Sequence, residues 1–478
     1  MLLSELFKGA PELDVKQLSV DSRVPMKDAI FFCLDGIKYD GHDYIDEAIA
    51  NGAKVIVYSK DLVKKPKAIL IKVPDVKLAM KHTANLFFNN PNEGIDKYLI
   101  TGNYGRCSVA TFINFYLNQI STCGYVGILG IKYGKFSLKS SFPTLNGLDN
   151  LKVLNTLRKN KIESVTFEAS ASSLNLQKLD TILPDYFIYT CTSKESSEYH
   201  SVDYINILRK YLYSLEADTK IIYNIDDFSY NEVKDCFESC TTYGTSTIAD
   251  YQIRDVSLSS KGISYKIIHD EKAYPVSSKI QGMSNVYNLT AAIVALCVKG
   301  HDLAEIIEVF KNAPEVEGVM ERVDDEYNII VDCAFDLNAI EALFKYAKFA
   351  KNKNKVIGVI GIDYTDGDKR IEKIVQLCEE YLDVTIFTEN ESLEGEVMSI
   401  LQRCDKYITS SRTMYSSTRF LAIENAIEIM NKNDILLIVG KGNEEYLNKG
   451  LGKEFYNGDK FYAKRYLEKR RREENAII

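Results

Sequence analysis

Short apolar runs typical of β-strands alternate with helical stretches along almost the whole chain of 478 residues. Residues 15–90 contain the runs "AIFFCL", "KVIVYS" and "AILIKV". Two further series extend from "KYLITG" to "KIIYNID" and from "NIIVDCAF" to "DILLIVGKGN". Strands that alternate with helices are joined by crossover connections, which place the strands parallel in one sheet. The pattern therefore predicts an α/β protein with mostly parallel sheets.

Two turn-rich segments divide these three series. "NNPNEGIDK" separates the first series from the second, and "NAPEVEGVMERVDDE" separates the second from the third. We therefore predict three α/β domains, at residues 1–92, 93–317 and 318–478. Such lengths suit domains that bury their own hydrophobic cores.

Composition and charge argue against several classes of protein. The net charge of −8 argues against nucleic acid as the main partner. The first residues lack the basic and apolar regions of a signal peptide, and no apolar run is long enough to predict a membrane-spanning helix. The 10 cysteines are scattered singly, which is typical of free thiols in a reducing compartment. We therefore expect a cytoplasmic protein that does not insert into a membrane.

One strand–turn–helix segment points to a chemical role. "LITGNYGRCSVATFINFYL", at residues 99–117, joins an apolar strand to a long helix through Gly102 and Gly105. Backbone N–H groups at such a helix start point towards an anion, so the segment is a candidate phosphate loop. Its spacing differs from the general GxxxxGK[ST] motif, because Ile100 occupies the place of the first glycine. An ordinary turn between a strand and a helix explains the segment about equally well.

Carboxylates follow two other predicted strands. Glu168 ends the strand in "VTFEAS", and Asp226 and Asp227 follow the strand in "YNIDD". Ligands bind beyond the carboxyl ends of strands in open α/β sheets, and magnesium prefers hard oxygen ligands. A magnesium–nucleotide site at this edge is one interpretation. A helix cap or a loop acid is the alternative for each carboxylate taken alone.

Several segments match, in order, the motifs of one enzyme family. "ITGNYGRCS" stands where that family has ITGTNGKTT, "FEASASSLNL" matches EVSSHAL, "SKESSEYHSVDY" matches RDHLDYHG, and "GKGNEEY" matches GKGHE. On these motifs the chain resembles the ATP-dependent Mur ligases of peptidoglycan synthesis over nearly its whole length. The resemblance implies a small N-terminal α/β domain that binds UDP, a central phosphate-loop ATPase-like domain with a parallel sheet, and a C-terminal Rossmann-like α/β domain.

The resemblance also implies a reaction. In this family ATP phosphorylates a substrate carboxylate, an amine attacks the acyl phosphate, and ADP is released. The members that the chain resembles most add diaminopimelate or lysine to UDP-N-acetylmuramoyl-L-alanyl-D-glutamate. The implied partner is therefore a UDP-N-acetylmuramoyl-peptide, and the implied cofactors are ATP and Mg²⁺.

The matching motifs carry the family's site roles onto positions of this chain. The resemblance implies catalytic roles for Arg106, Glu168, His200 and Lys210. It implies cofactor binding by Gly102, Asn103, Gly105, Arg106, Cys107, Ser108, Asp226, Asn285, Asn288, Arg322 and Asp332. It implies substrate binding by Ser22, Arg23, His42, Ser141, Ser170, Lys178, Arg419, Lys441 and Glu444. Glu168 and Ser108 are the positions implied for magnesium.

Other positions depart from the family pattern. Arg106 replaces the lysine of the phosphate loop, and Cys107 replaces the threonine that would ligate magnesium. Ser196 replaces a metal-binding histidine. The remaining departures are Phe335 and Asn443 in place of histidines, and Thr388–Ser392 in place of the motif DNPR, whose arginine grips diaminopimelate. The family's modified lysine falls on Arg209 or Lys210.

These departures concentrate where phosphoryl transfer takes place, whereas positions implied for the nucleotide sugar persist. We therefore expect a degenerate paralogue with weak or no ligase activity. It would keep UDP-N-acetylmuramoyl-peptide or nucleotide binding and act as a binding or regulatory partner of cell-wall synthesis proteins. The alternative is an active ATP-dependent, ADP-forming ligase in which Arg106 and Glu168 serve the phosphates and the metal.

Overall fold

The computed structural model describes residues 1–36, 39–62, 66–138, 145–192, 201–259, 261–350, 354–393, 395–409, 412–450 and 452–477. Residue contacts divide the chain into two compact units. Residues 1–99, 120–186 and 214–219 form the first unit, and residues 100–119, 187–213 and 220–478 form the second.

The first unit begins with a four-stranded parallel sheet. Its strands are β1 (Gln17–Ser19), β2 (Ala29–Phe32), β3 (Ala53–Tyr58) and β4 (Ile69–Lys72), in the order β1-β2-β3-β4. The helices are α1 (Leu3–Leu6), α2 (Ile45–Ala50) and α3 (Val76–Phe87), with a 3₁₀ turn at Gly41–Tyr44. Strand β2 is buried along its whole length, as expected of a parallel strand covered on both faces.

An eleven-stranded sheet follows along the chain. Its strands are β5 (Asp96–Thr101), β6 (Cys123–Gly127), β7 (Gly130–Tyr133), β8 (Phe136–Leu138), β9 (Ser164–Ala169), β10 (Tyr186–Tyr189), β11 (Lys220–Asn224), β12 (Thr241–Gly244), β13 (Tyr251–Ser259), β14 (Gly262–His269) and β15 (Lys272–Ser278). Their order is β15-β14-β13-β12-β11-β10-β5-β9-β6-β7-β8. The helices of this part are α4 (Arg106–Ile120), α5 (Gly147–Lys159), α6 (Ala171–Asn175), α7 (Ser201–Leu212), α8 (Tyr230–Val233), α9 (Met283–Lys299) and α10 (Leu303–Phe310), with a 3₁₀ turn at Lys234–Cys236.

The eleven-stranded sheet combines parallel and antiparallel pairs. Strand β9 runs parallel to β6, and β12 runs parallel to β11 and to β13, as the alternating sequence pattern predicts. Strands β6, β7 and β8 are antiparallel, and so are β13, β14 and β15. The turn between β14 and β15 places Asp270 and Glu271 at φ of 47° and 60°. Positive φ at both central residues is the geometry of a tight hairpin, so no crossover helix is needed there.

The C-terminal part is built on a six-stranded sheet. Its strands are β16 (Glu321–Arg322), β17 (Asn328–Asp332), β18 (Val356–Ile362), β19 (Val384–Glu389), β20 (Thr413–Tyr415) and β21 (Ile435–Val439), in the order β16-β17-β21-β18-β19-β20. All pairs are parallel except that of β16 with β17. The remaining elements are α11 (Leu337–Ala350), α12 (Asp368–Tyr381), α13 (Val397–Leu401), a 3₁₀ turn at Gln402–Lys406, α14 (Arg419–Ile429), the short strands β22 (Tyr446–Asn448) and β23 (Lys453–Phe455), and α15 (Asp459–Ile477).

Two apolar clusters form the core of this C-terminal part. The first contains Phe344, Val356, Ile371 and Leu437, and the second contains Ile329, Val359 and Leu436. Alternate residues of the same strands enter different clusters because successive side chains of a strand point to opposite faces. The sheet is therefore covered by helices on both faces, as in other parallel α/β folds.

The predicted α/β class is confirmed. The predicted domain boundaries at residues 92 and 317 stay predictions, and both positions fall between elements, after α3 and after α10. Within the described ranges, no helix combines the length and the apolar character needed to cross a membrane.

Candidate functional site

The segment at residues 99–117 forms the strand, turn and helix that the sequence predicts. Strand β5 ends at Thr101 and α4 begins at Arg106. Between them Gly102 and Gly105 have φ of 139° and 84°, which side chains other than glycine rarely adopt. The loop therefore leads with two glycine-type backbone conformations into the start of a helix, a position at which N–H groups can bind an anion.

Neighbouring side chains leave no room for a Cβ atom in this loop. A Cβ at Gly102 would come closer than 3.0 Å to Oγ1 of Thr190, and a Cβ at Gly105 equally close to Oδ1 of Asn288. The hydroxyl of Thr190 donates its single proton to the carbonyl oxygen of Tyr104 (2.6 Å), and the carbonyl oxygen of Thr101 lies 3.1 Å away. Both glycines are thus needed for space as well as for conformation.

Arg106 turns its guanidinium towards the loop itself. Its Nη1 donates to the carbonyl oxygens of Gly102 and of Asn103, the latter at 3.1 Å. In the part of the chain that the structure describes, no carboxylate forms an ion pair with Arg106. The loop therefore carries a positive charge that is held by carbonyl dipoles and not by a counter-ion.

The two residues after Arg106 differ in what they offer a metal. Cys107 is half-buried, and its thiol is a soft group that magnesium disfavours. Ser108 is 1% exposed, and its Oγ has no hydrogen-bond partner among the described residues. Ser108 thus offers a buried hard oxygen, whereas Cys107 does not fit a magnesium ligand.

The predicted adenosine-side residues lie together on α9. Asn285 donates from Nδ2 to the carbonyl oxygen of Gln281 at 2.8 Å, and Asn288 donates to Oδ1 of Asn285 at 3.3 Å. Both are buried, and Asn288 packs directly against Gly105 of the loop. The structure therefore brings these two asparagines to the candidate phosphate loop.

The carboxylate of Asp226 already has several partners within the protein. It accepts hydrogen bonds from the backbone N–H and the hydroxyl of Thr245 (2.5 and 2.8 Å), from the N–H of Ser246 (3.0 Å) and from the hydroxyl of Tyr287 (2.9 Å). Asp226 therefore ties the loop after β12 to α9. These contacts are those of the loop-acid alternative, and the cofactor-binding role of Asp226 stays a prediction.

Asp332 and Arg322 are also predicted to bind the cofactor, and those roles stay predictions. Asp332 accepts 2.7 Å hydrogen bonds from the backbone N–H groups of Met320 and Ala334, and burial raises its pKa to about 6. Both of its oxygens thus serve the backbone around β17. Arg322 lines an open cleft of about 730 Å³, whose other lining residues include Lys261, Lys279, Lys464 and Arg471.

Glu168 lies at the end of β9 in the first unit and is 6% exposed. It accepts a short hydrogen bond at Oε1 from the hydroxyl of Tyr125 on β6. The Tyr125 oxygen in turn accepts a hydrogen bond from the backbone N–H of Leu129 at 3.2 Å. A carboxylate at a strand end is the hard oxygen donor that magnesium prefers, so Glu168 fits a magnesium ligand.

Lys441 and Glu444 form a pair after β21. Lys441 is 1% exposed, and its Nζ lies 2.8 Å from Oε2 of Glu444 and 4.0 Å from Oε1 of Glu391. Glu391 belongs to the segment that stands in place of the arginine-containing motif of the family. The structure thus brings two predicted substrate residues together with an acidic residue.

Arg419, a predicted substrate residue, is enclosed within the protein. Its side chain is 0% exposed, and it forms two 2.7 Å hydrogen bonds with the carboxylate of Asp459, which is equally buried. The hydroxyl of Tyr456 also donates to Asp459, at 2.7 Å. A guanidinium enclosed in this way joins α14 to the start of α15, and the substrate role of Arg419 stays a prediction.

The predicted residues of the N-terminal domain form local networks. Ser22 donates a short hydrogen bond to Glu47, and the side chain of Asn51 donates to the carbonyl oxygen of Ser22 at 2.7 Å. Arg23 forms hydrogen bonds of 2.9 and 2.8 Å with Asp21 and is 79% exposed. Arg23 is therefore at the surface, while Ser22 is buried beneath it.

His42 joins the 3₁₀ turn to the end of β3. Its Nδ1 lies 2.6 Å from Oδ1 of Asp40, and its Nε2 accepts from the backbone N–H of Ser59 at 3.1 Å. Nε2 is therefore the acceptor, and Nδ1 carries the proton towards Asp40. Lys60 bonds the other Asp40 oxygen at 2.5 Å.

Ser170 and Lys178 follow β9. Ser170 caps α6 by accepting a hydrogen bond from the N–H of Ser173 at 3.1 Å, which is the usual task of a serine at this position. Lys178 is half-buried, and its carbonyl oxygen accepts a hydrogen bond from Asn150 at 3.0 Å.

The choice between Arg209 and Lys210 concerns two neighbouring residues of α7. Arg209 is bound to Glu232, whose carboxylate lies 3.2 Å from Nη2, whereas the side chain of Lys210 is exposed. The predicted residues Ser141 and His200, and the departure at Ser196, lie outside the described residues.

Two residues of the site were missed by the sequence reasoning. Thr190 follows β10, and the rule that placed Glu168 at a strand end applies to it equally. Tyr125 lies in the interior of β6, and only its pairing with β9 reveals its contact with Glu168. A signal for Thr190 was thus present in the sequence, whereas none existed for Tyr125.

Three family models match the chain in succession. They are described as "Mur ligase family, catalytic domain" at residues 14–88, "Mur ligase middle domain" at 100–296, and "Mur ligase, glutamate ligase domain" at 319–442. The UDP-N-acetylmuramoyl-L-alanyl-D-glutamate–2,6-diaminopimelate ligase of Clostridioides difficile is 30% identical, over 97% of each chain. The UDP-N-acetylmuramyl-tripeptide synthetase 2 of Oceanobacillus iheyensis is 29% identical, over 90% of each.

Solved structures share the fold at lower identity. A UDP-N-acetylmuramoyl-L-alanyl-D-glutamate–2,6-diaminopimelate ligase has a TM-score of 0.68 and 22% identity, over 98% of this chain and 99% of that one. The MurF ligase of Thermotoga maritima in complex with ADP has a TM-score of 0.67 and 15% identity, over 95% and 99%. These likenesses extend over all three matched regions.

Proposed function

Because the chain belongs to the Mur ligase family, we propose that it binds a UDP-N-acetylmuramoyl-peptide and ATP in peptidoglycan-precursor metabolism, with weak or no ligase turnover. The observation that carries the proposal is the position of Arg106. Its guanidinium lies on the carbonyl oxygens of Gly102 and Asn103, inside a loop whose backbone keeps the form of a phosphate site.

Nucleotide binding is supported by the backbone and its immediate contacts. Gly102 and Gly105 hold the loop open at the start of α4, and Asn288 packs against Gly105. Helix N-termini bind phosphate through N–H groups and the helix dipole, and the positive charge of Arg106 adds to this attraction. We therefore expect ATP to bind even if the transfer step is impaired.

Weak turnover is supported by the side chains at the start of α4. When bound, ATP supplies the phosphoryl group that activates a carboxylate, and the protein contributes mainly positioning and charge. A planar guanidinium shared with loop carbonyls cannot follow a moving phosphoryl group as a compact ammonium can. Cys107 offers a thiol where a hard oxygen is needed. Each such contact is typically worth about 3 kcal/mol in the transition state, or about a hundredfold in rate.

Active ligation is the second candidate. It is favoured by the relative from Clostridioides difficile, which is named as a ligase and matches 97% of this chain at 30% identity. Arg106 also keeps a positive charge in the loop, and Glu168 keeps the hard oxygen donors that magnesium needs. If the protein is an active ligase, Lys441 and Glu444 would hold the incoming amino acid.

The two candidates differ in ADP release. Purified full-length protein is given Mg-ATP, UDP-N-acetylmuramoyl-L-alanyl-D-glutamate and a panel of amino acids, while binding of ATP and of the precursor is measured by calorimetry. We expect the wild type to bind both ATP and the precursor. Its rate of ADP release should be no higher than that of the Glu168→Gln variant. Release that depends on precursor and amino acid, and that Glu168→Gln abolishes, would establish the ligase instead.

A restored variant provides the matched control. Arg106→Lys combined with Cys107→Thr returns the side chains that the family has at these positions. We expect this double variant to bind ATP as the wild type does and to release ADP faster. Absence of both ATP and precursor binding in the wild type contradicts the proposal outright.

A further inference from the structure

Glu168 is held by a small unit of three residues on two adjacent strands. Strands β6 and β9 are parallel, and Tyr125 is paired with Thr166. Glu168 lies two residues beyond Thr166 and therefore on the same face of β9. Gly127, two residues beyond Tyr125, shares the face of Tyr125 for the same reason. Gly127 and Glu168 lie near the carboxyl ends of their strands, and the side chain of Tyr125 reaches them from the interior of β6.

Gly127 provides the space in which the carboxylate lies. A Cβ atom at this position would come closer than 3.0 Å to Oε1 of Glu168 and to the hydroxyl oxygen of Tyr125. Its φ is not positive, so the absence of a side chain and not the backbone conformation is what the site requires. The glycine thus allows the carboxylate and the hydroxyl to approach each other.

The direction of the hydrogen bond follows from its neighbours. The oxygen of Tyr125 accepts the N–H of Leu129 at 3.2 Å, and an ionised carboxylate can only accept. The hydroxyl proton of Tyr125 therefore lies towards Oε1 of Glu168. Tyr125 is 3% exposed and Glu168 is 6% exposed, so water competes little with this bond.

We propose that Tyr125 is a positioning residue for Glu168, whose carboxylate it fixes in the orientation that binds a divalent cation. The proposal rests on the proposed function in one respect, because the divalent cation is the one that accompanies ATP. Magnesium demands near-ideal geometry of its oxygen ligands, so the orientation of a ligating carboxylate matters. Hydrogen bonds to ligating groups typically change metal affinity by about 10–100-fold when they are removed.

The test measures Mn²⁺ binding to the full-length protein by the loss of the free-ion EPR signal, with and without ADP. Glu168→Gln gives the level of binding that does not involve this carboxylate. We expect Tyr125→Phe to raise the Kd of the Glu168-dependent site by about tenfold. Gly127→Ala, which separates the same two oxygens by a different change, should weaken binding likewise.

Tyr98→Phe is the matched control. Tyr98 is equally buried in β5, and its hydroxyl has no hydrogen-bond partner among the described residues. We expect its removal to leave the Mn²⁺ affinity unchanged. In the Glu168→Gln background, Tyr125→Phe should have no further effect, because the two residues would act as one unit.

Several outcomes overturn the proposal. One is Mn²⁺ binding by Tyr125→Phe that is unchanged or tighter, and another is an equal loss of Mn²⁺ affinity in Tyr98→Phe. The others are an additive loss of affinity when Tyr125→Phe is combined with Glu168→Gln, and a wild type without Glu168-dependent binding. Titration with Mn²⁺ alone separates this result from the proposed function, since failure to bind ATP and precursor contradicts only the latter.

Discussion

Two arginines of the second unit bind backbone carbonyl oxygens in different ways. Arg419 donates to the carbonyl oxygen of Val439 at 3.0 Å and forms two 2.7 Å hydrogen bonds with the carboxylate of Asp459. Arg106 donates to the carbonyl oxygens of Gly102 and Asn103, and among the described residues it pairs with no carboxylate. One guanidinium is neutralised within the fold, and the other is not.

The difference separates a structural charge from one that can act on a ligand. A fully buried arginine is stable only when a counter-ion and further hydrogen bonds satisfy it, and Arg419 has both. Arg106 is half-buried at the start of a helix, where its charge adds to the positive end of the helix dipole. The unneutralised arginine is therefore the one expected to respond to an anion.

The largest effect is expected at the buried pair. Arg419→Ala leaves the carboxylate of Asp459 buried without its partner, so we expect a loss of about 3–5 kcal/mol in the free energy of unfolding. Urea denaturation of the wild type and the variant measures it. Arg23→Ala is the control, because its pair with Asp21 is exposed at the surface and contributes about 1 kcal/mol or less. Equal losses in the two variants would contradict the structural role of Arg419.

A smaller and different effect is expected at the loop. Arg106→Ala removes a positive charge from the candidate phosphate loop, so we expect the Kd for a fluorescent ADP analogue to rise about 10–100-fold. Since Arg106 is only half-buried and has no counter-ion to leave unpaired, the urea midpoint should change little. Arg106→Lys keeps the charge and should keep most of the affinity. Unchanged affinity of Arg106→Ala would mean that the guanidinium stays on the loop carbonyls when the nucleotide binds.

The contrast between these arginines also marks what a sequence can predict. The strand, turn and helix around Arg106 were predicted because the signals, an apolar run, two glycines and an amphipathic segment, are adjacent in the chain. The burial of Arg419 was not predicted, because Asp459 lies 40 residues away and only the packing of α14 on α15 joins them.

The same distinction applies to the carboxylates. The position of Glu168 at a strand end was predicted from its local run of apolar residues, but its bond to Tyr125 depends on the pairing of β6 with β9. Asp226 was predicted to bind the cofactor, and its bonds to Thr245 and Tyr287 come from segments 19 and 61 residues away. Motif spacing therefore predicts which acids lie near strand ends, while their hydrogen-bond partners follow from tertiary contacts.

The smallest effect concerns a half-buried carboxylate that, unlike that of Asp459, forms no ion pair with an arginine among the described residues. Burial, together with the nearby charges of Asp366 and Glu391, raises the pKa of Asp363 to about 6 from its usual 3.8. Because the pKa is higher in the folded protein, protonation of Asp363 stabilises the folded state. This contribution to the free energy of unfolding is fully present below pH 3.8 and is lost as the pH rises through about 6.

Asp363→Asn removes this titration. We expect the wild type to lose about 1–2 kcal/mol more than the variant between pH 4 and pH 7, measured by urea denaturation at several pH values. Asp218→Asn, a change at an exposed aspartate, should follow the wild type across the same range. Asp363→Asn that also follows the wild type would contradict this expectation. In that case the charge of Lys441, which lowers the pKa of Asp363, balances the acidic neighbours, and the carboxylate is neutralised within the fold as that of Asp459 is.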